Sequence, residues 1–162
     1  MFQVQLKGPL KAFTYPQFRI FWLASLMSII GFFTSIIARG WLALDMTDSA
    51  FMVTAINGTG MLPMLVFSAF GGVIADRMSR KTILISSDLF NFLMLLILSV
   101  LVITDTLELW HLFLLTLLHG IGFAMGTPAR AAVVGNILSP SDLPSGVAIF
   151  STIFSLSQLV GP

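Results

Sequence analysis

The sequence predicts an all-α integral membrane protein with about five transmembrane helices. Its 162 residues are 57% hydrophobic and 9% charged, with a mean hydropathy of +0.99, whereas soluble domains carry about 25% charged residues. Uncharged stretches close to the roughly 20 residues that cross a bilayer recur along the chain. Short segments rich in Ser, Thr, Asp, Gly and Pro separate them. Because these stretches and their loops use the whole length, we predict a single membrane domain, residues 1–162.

The predicted helices follow the uncharged stretches in chain order. The first stretch is too long for the apolar region of a signal peptide and follows three basic residues, so we interpret it as a retained span. The second contains Pro63, which is expected to kink it. The third reaches a full span only if its helix begins at Thr82 and carries Asp88 about two turns inside. The predicted helices cover residues 18–40, 50–75, 82–104, 109–130 and 143–162.

Basic residues predict the orientation, because loops rich in Lys and Arg stay on the cytoplasmic side. With the N-terminus inside, seven of the 8 Lys and Arg residues lie on that side, and Arg39 alone lies near the outer surface. The reverse topology would place seven outside. We therefore predict a multi-pass protein of the plasma (inner) membrane with a cytoplasmic N-terminus and the lipid bilayer as its partner. The net charge of +1 gives no general attraction to nucleic acid.

The sequence gives little support for an enzyme or for a metal-binding protein. Cysteine is absent, which removes disulfides, thiolate metal sites and cysteine nucleophiles. The chain has no H-E-x-x-H motif, phosphate loop or nucleophile elbow. His111 and His119 are eight residues apart, a spacing that does not place them on one helix face. We predict a protein that is not an enzyme and has no cofactor and no metal site.

The most specific motif lies between the second and third predicted helices and reads G-G-V-I-A-D-R-M-S-R-K from Gly71 to Lys81. Its carboxylate could face a helix terminus, and its basic side chains could pair with acidic groups or lipid phosphates. A tight cytoplasmic loop of any membrane protein tends to be basic and to contain glycine, which is the alternative interpretation. The motif resembles the loop between helices 2 and 3 of major facilitator superfamily transporters, G-x-L-A-D-R-x-G-R-K.

In that family the loop is associated with holding one conformation of the carrier. The resemblance therefore implies a conformational latch, whose residues here are Gly72, Asp76, Arg77, Arg80 and Lys81. Two features depart from the family. Ser79 stands where a second glycine is usual, which puts the tightness of the turn in doubt. The family's R-x-x-Q-G pattern on helix 4, aligned on Gly120, meets Thr116 and His119 instead of arginine and glutamine.

Further segments resemble the drug and siderophore exporters of this superfamily, including enterobactin exporters. They are residues 18–22, 40–49, 62–63 and 128–130. Gly161 and Pro162 resemble the start of the G-P-x-x-G-G element that marks proton antiporters. The resemblance implies the N-terminal part of a twelve-helix carrier and proton-coupled efflux of a small molecule, such as a drug or siderophore. Because such carriers have two six-helix halves, we expect a fragment that needs the missing C-terminal helices or an oligomer for transport.

Polar residues inside the predicted spans are candidates for a proton or substrate pathway. Asp88 and His119 could carry protons, although an interfacial carboxylate and a histidine bonded to another helix are the simpler interpretations. Asn57 and Gln158 could line a substrate path, whereas a helix-to-helix hydrogen bond would need no ligand.

Two other functions remain open at this point. A small multi-pass membrane subunit or structural protein would pack through its glycine faces against a partner and would not transport anything itself. A small carrier could also rebuild two halves from copies of one chain. The sequence that follows Pro162 in the reading frame would separate these alternatives from the fragment.

Overall fold

The computed structural model describes residues 10–67 and 79–161, and the regular structure in these ranges is helical. A short 3-10 helix, Lys11–Thr14, precedes the longer helices. These are α1 (Pro16–Thr47), α2 (Ala50–Thr59), α3 (Arg80–Ile103), α4 (Leu109–Ile137) and α5 (Leu143–Val160). By length and composition, five segments are able to cross a membrane, the second being the stretch Ala50–Phe67. The predicted all-α membrane fold is confirmed.

Helix α1 continues to Thr47, beyond the predicted end at residue 40. Asp48 then adopts a φ of 50°, a left-handed conformation that interrupts the helical path, and Asp105 does the same after α3 with a φ of 53°. Aspartate tolerates this conformation better than most residues because its short polar side chain can bond locally. The longer α1 places Arg39 about two turns inside the helix and not at its end.

Helix α3 begins at Arg80, two residues before the predicted start. Ser79 is its N-cap, and the Ser79 hydroxyl accepts a hydrogen bond from the backbone N–H of Thr82 at 3.2 Å. Serine is among the favoured residues for this role. The φ of Ser79 is −62°, which any residue can adopt, so the chain needs no glycine at this position.

Residue contacts divide the chain into two compact units, each built from several helices. Unit 2 spans Ser35–Ala129. Its apolar core is a cluster contributed by α1, α2, α3 and α4, whose members are Ala43, Ile56, Leu98, Leu112 and Leu115. Large apolar side chains on the same helices are exposed, for example Phe51 at 74% and Ile103 at 81%. In a bilayer such side chains face lipid, which is as apolar as they are.

Unit 1 combines the described residues up to Thr34 with those from Arg130 onward. The rings of Phe21 and Phe150 stack with their centroids 5.8 Å apart. The indole N–H of Trp22 donates to the carbonyl oxygen of Ile149 at 3.3 Å. Aromatic packing and this hydrogen bond join the first half of α1 to α5 within the unit.

Candidate functional site

A buried polar cluster lies within the apolar core of unit 2, where α1 meets α4. Arg39 and His119 are only 3% and 2% exposed. The Nη1 atom of Arg39 lies 3.2 Å from Nδ1 of His119. Since a guanidinium can only donate, Nδ1 is the acceptor, and the proton of a neutral His119 ring resides on Nε2. The remaining bonds of Arg39 stay on α1, because Nη2 donates to the Ser35 hydroxyl at 2.9 Å and Nε donates to the Ser35 carbonyl at 3.0 Å.

Helical spacing brings these side chains onto facing surfaces. Ser35 and Arg39 are four residues apart on α1, so both point to the same side of that helix. Thr116, His119 and Gly120 share one face of α4 by spacings of three and four.

Glycine allows a close approach at this face of α4. A Cβ atom added to Gly120 would overlap the carbonyl group of Gly60, and a Cβ on Gly60 would lie 3.0 Å from Cγ2 of Thr116. The segment after α2 therefore packs backbone to backbone against α4, beside the residues that hold Arg39.

Three polar atoms of unit 2 are buried without a hydrogen-bond partner among the described residues. They are Oδ1 of Asn57, Oδ1 of Asn91 and Oγ1 of Thr116. Asn57 packs on Gly40, the neighbour of Arg39 in sequence, with Nδ2 3.3 Å from the position of a Cβ there. A buried polar group left unsatisfied costs about 1–3 kcal/mol. Such groups are expected to meet water or a ligand in the working protein.

The residues predicted for a proton or substrate pathway have different environments. His119 is part of the buried cluster, and Asn57 is half-buried near it in unit 2. Asp88 is half-buried on α3, about two turns after the start of that helix. Gln158 is exposed on α5 of unit 1, and its neighbour Ser157 is the buried residue. The structure therefore collects only part of the predicted set in one unit.

The predicted latch and antiporter residues are described only in part. Arg80 and Lys81 are exposed in the first turn of α3, while Gly72, Asp76 and Arg77 lie outside the described residues. Gly161 is buried at the end of α5, where an added Cβ would lie 2.7 Å from Cβ of Phe33. Pro162 also lies outside the described residues.

Sequence reasoning missed Arg39, which it placed near the outer surface. The prediction ended the first helix at residue 40, whereas α1 extends to Thr47 and Arg39 is buried. The available signal was the i, i+4 pair of Ser35 and Arg39 inside an otherwise apolar stretch. A single arginine within an apolar stretch is costly to insert into a membrane unless another group accepts its hydrogen bonds or pairs with its charge.

A second polar cluster, in unit 1, ties the 3-10 helix to the segment before α5. Nζ of Lys11 lies 2.7 Å from Oδ1 of Asp142, and the Tyr15 hydroxyl donates to Oδ2 of Asp142 at 2.8 Å. Ser139 donates to the same oxygen at 3.1 Å. Hydrogen bonds from Lys11 and then Tyr15 hold the pKa of Asp142 below its usual value, and the bond to Asp142 raises the pKa of Lys11. The cluster is a structural tether outside the spans.

No group of three His, Cys, Asp or Glu side chains within residues 10–67 and 79–161 is arranged to hold a metal ion. The polar groups of unit 2 can instead donate and accept hydrogen bonds inside a helix bundle. That chemistry suits binding of a small polar molecule and does not by itself assemble a nucleophile with a base.

Comparison with known proteins gives matches to bacterial efflux proteins and to a bacterial transporter. The chain is 29% identical over 118 residues to macrolide efflux protein A of Streptococcus pyogenes, covering 73% of this chain and 29% of that protein. It is 25% identical over 145 residues to the staphyloferrin A transporter of Staphylococcus aureus, covering 89% and 36% respectively. The multidrug efflux pump Tap of Mycolicibacterium fortuitum is 26% identical over 133 residues, covering 79% and 32%.

The chain thus spans about a third of the length of these curated relatives. No solved structure gives a significant match to it. Residues 7–162 match the family of transmembrane secretion effectors, which is nearly the whole chain. Together with the five helices able to cross a membrane, this match shows that the chain belongs to the transmembrane secretion effector family of the major facilitator superfamily.

Proposed function

We propose that this chain forms part of a transporter that exports a small molecule across the plasma (inner) membrane. The observation that carries the proposal is the buried polar cluster of unit 2, because desolvated polar groups inside a bundle of membrane-spanning helices are expensive and mark ligand or ion pathways. The matched relatives support export as the direction, since their names describe efflux of macrolides, efflux of several drugs and transport of staphyloferrin A.

The transport cycle is proposed for a carrier of two halves. Substrate sites of such carriers lie near the bilayer midplane between the halves, which rock against each other. Because the chain spans about a third of its relatives, we infer that transport needs further helices, supplied either by the rest of the same protein or by a second copy.

We also propose that export is coupled to the movement of protons. His119 lies in the buried cluster, Asp88 is half-buried on α3, and neither residue is without an interaction partner. An imidazole or a carboxylate inside a span is the usual kind of proton carrier in transporters. Gly161 and Pro162 support the same interpretation through their resemblance to the antiporter element.

The basic loop before α3 is proposed as a latch that favours one conformation of the carrier. Arg80 and Lys81 are exposed at the start of α3, and basic side chains in such a position can contact acidic groups or lipid phosphates. Gly72, Asp76 and Arg77 complete the motif in sequence.

Export is tested by expressing the complete protein in bacteria that lack their major efflux pumps. Cells are loaded with ethidium or with labelled erythromycin, and the retained amount is followed over time. The proposal expects faster loss of at least one compound than in cells carrying the empty vector, and it expects dissipation of the proton gradient to abolish the difference. Equal retention of both compounds would contradict export of drug-like molecules.

A further inference from the structure

We propose that Arg39 forms a binding site for a carboxylate group of the exported molecule, an inference that rests on the proposed export function for the ligand's role as cargo. Arg39 carries a positive charge in a buried position. None of the carboxylates among the described residues forms an ion pair with Arg39, and its partners Ser35 and His119 are a hydroxyl, a carbonyl and an imidazole. A buried guanidinium with neutral partners alone keeps an uncompensated positive charge.

Arg39 also has more N–H donors than its described partners accept. Arginine has five N–H groups. Three of those on Arg39 are used by Ser35 and His119. One N–H on each terminal nitrogen therefore has no acceptor among the described residues. Two such donors match the two oxygens of a carboxylate, which arginine binds through paired N–H···O bonds.

Arg39 and His119 lie well inside their helices. Arg39 lies eight residues before the end of α1 at Thr47, and His119 lies ten residues after the start of α4 at Leu109. At 1.5 Å per residue these positions are about 12–15 Å from the helix ends, inside helices that are long enough to cross a hydrocarbon core about 30 Å thick. A positive charge at that depth attracts an anion strongly because water does not screen it.

The surroundings add specificity. Oδ1 of Asn57 and Oγ1 of Thr116, which lie in the same unit, are buried and have no hydrogen-bond partner among the described residues. Hydroxyl or amide groups on the same ligand would satisfy them. The cluster therefore favours a small organic acid that carries hydrogen-bond donors beside its carboxylate.

The test uses the complete native protein in detergent and measures its thermal unfolding midpoint. Benzoate is titrated at constant ionic strength, and benzamide serves as the neutral analogue of the same shape. We expect a saturable rise of the midpoint with benzoate and a much smaller response to benzamide. In R39Q the half-saturating benzoate concentration should increase by about tenfold or more, since a paired charge-assisted bond is lost.

Two further variants complete the design. R19Q removes the same charge from an exposed arginine and should leave the benzoate response unchanged. R39K keeps the charge but loses the fork of donors, so its response should lie between those of the native protein and R39Q. R39K also carries the test if R39Q does not fold, because a native response in R39K would overturn the paired geometry.

A native response in R39Q, or no saturable response to benzoate in the native protein, would overturn the site. Export of erythromycin and ethidium is measured on the same preparations after reconstitution. Benzoate binding without export would contradict the export function alone. Export without benzoate binding would contradict the carboxylate site alone.

Discussion

Among the described residues Arg39 and Arg130 are buried, and each donates a hydrogen bond to a serine hydroxyl on α1. In unit 2 the guanidinium of Arg39 bonds to Ser35. In unit 1, Arg130 is 2% exposed, and its Nη2 donates to the Ser28 hydroxyl at 2.7 Å. Because each hydroxyl accepts a hydrogen bond from a buried guanidinium, both serines stabilise a buried charge.

Residue burial is the part of the site that the sequence could not predict. Asn57, His119 and Gln158 are all polar residues within apolar stretches, yet His119 is 2% exposed while Gln158 is exposed. Which side of a helix faces the bundle depends on packing with other helices. A nearly uniform apolar stretch shows little of that preference in its sequence.

The stabilising effect of the contact between Lys11 and Asp142 should depend on pH. Because the pKa of Asp142 is lowered from 3.8, its stabilising effect is present above that value and is lost as pH falls through the lowered pKa. Because the pKa of Lys11 is raised from 10.5, its effect is present below that value and is lost as pH rises through the raised pKa. The tether should therefore hold across the neutral range.

Hydrogen exchange of the 3-10 helix measures this tether. The amides of Phe13 and Tyr15 donate to Leu10 and Ala12 within that segment, and their protection factors should fall in D142N and in strong acid. D45N, which alters an exposed aspartate of unit 2, is the matched control and should leave them unchanged. Equal protection in D142N and the native protein would show that the contact does not hold the segment.

At the scale of helices, glycine determines where backbones can meet. Gly120 of α4 faces the carbonyl of Gly60, whereas a Cβ added to Gly58 of α2 would meet nothing within 4 Å. Gly120 therefore allows the two backbones to pack closely, whereas Gly58 makes no such contact among the described residues.

Alanine substitutions at these two glycines should have opposite effects. G120A should lower the free energy of unfolding by about 1–3 kcal/mol, because overpacking exceeds the gain in helix propensity. G58A should be neutral or raise it by up to about 1 kcal/mol, since only the propensity changes. Denaturant unfolding in detergent measures both. Equal effects of the two substitutions would show that the α2–α4 contact is not close.

The observed helix boundaries depend on local hydrogen bonds as well as on the apolar composition of each stretch. The predicted starts at residues 50, 109 and 143 coincide with the observed starts of α2, α4 and α5. The predicted first helix followed the uncharged stretch that stops before Arg39, whereas the apolar residues after Gly40 continue α1 to Thr47. The start of α3 was misplaced because the N-cap bond of Ser79 fixes it at Arg80.

At the scale of the whole molecule, membership of the transmembrane secretion effector family agrees with the class that composition predicted. Mean hydropathy and the spacing of apolar stretches were sufficient for the all-α membrane fold, because a bilayer permits few other ways to satisfy the backbone. The substrate could not be predicted in the same way, since it depends on which side chains meet in three dimensions.

The absence of cysteine allows a direct test of orientation. Single cysteines are introduced in the complete protein at Ser141, before α5, and at Thr106, between α3 and α4; both residues are exposed. With a cytoplasmic N-terminus, a membrane-impermeant maleimide should label T106C in intact cells and S141C only after permeabilisation. The reverse pattern would contradict the predicted topology.

Charge reversal at Asp76 tests the latch. D76K should reduce export by the complete protein by about tenfold, the scale expected when a hydrogen bond to a charged group is lost, while its amount in the membrane stays unchanged. D45K makes the same change at an exposed aspartate outside the motif and should export normally. Native export by D76K would remove the latch assignment.

Export can be measured as flux through the purified complete protein in proteoliposomes. An imposed proton gradient should drive movement of labelled erythromycin or ethidium across the vesicle membrane, and flux should cease when an ionophore removes the gradient. If vesicles contain correctly inserted protein but show no more flux of either compound than protein-free vesicles, the result would contradict export.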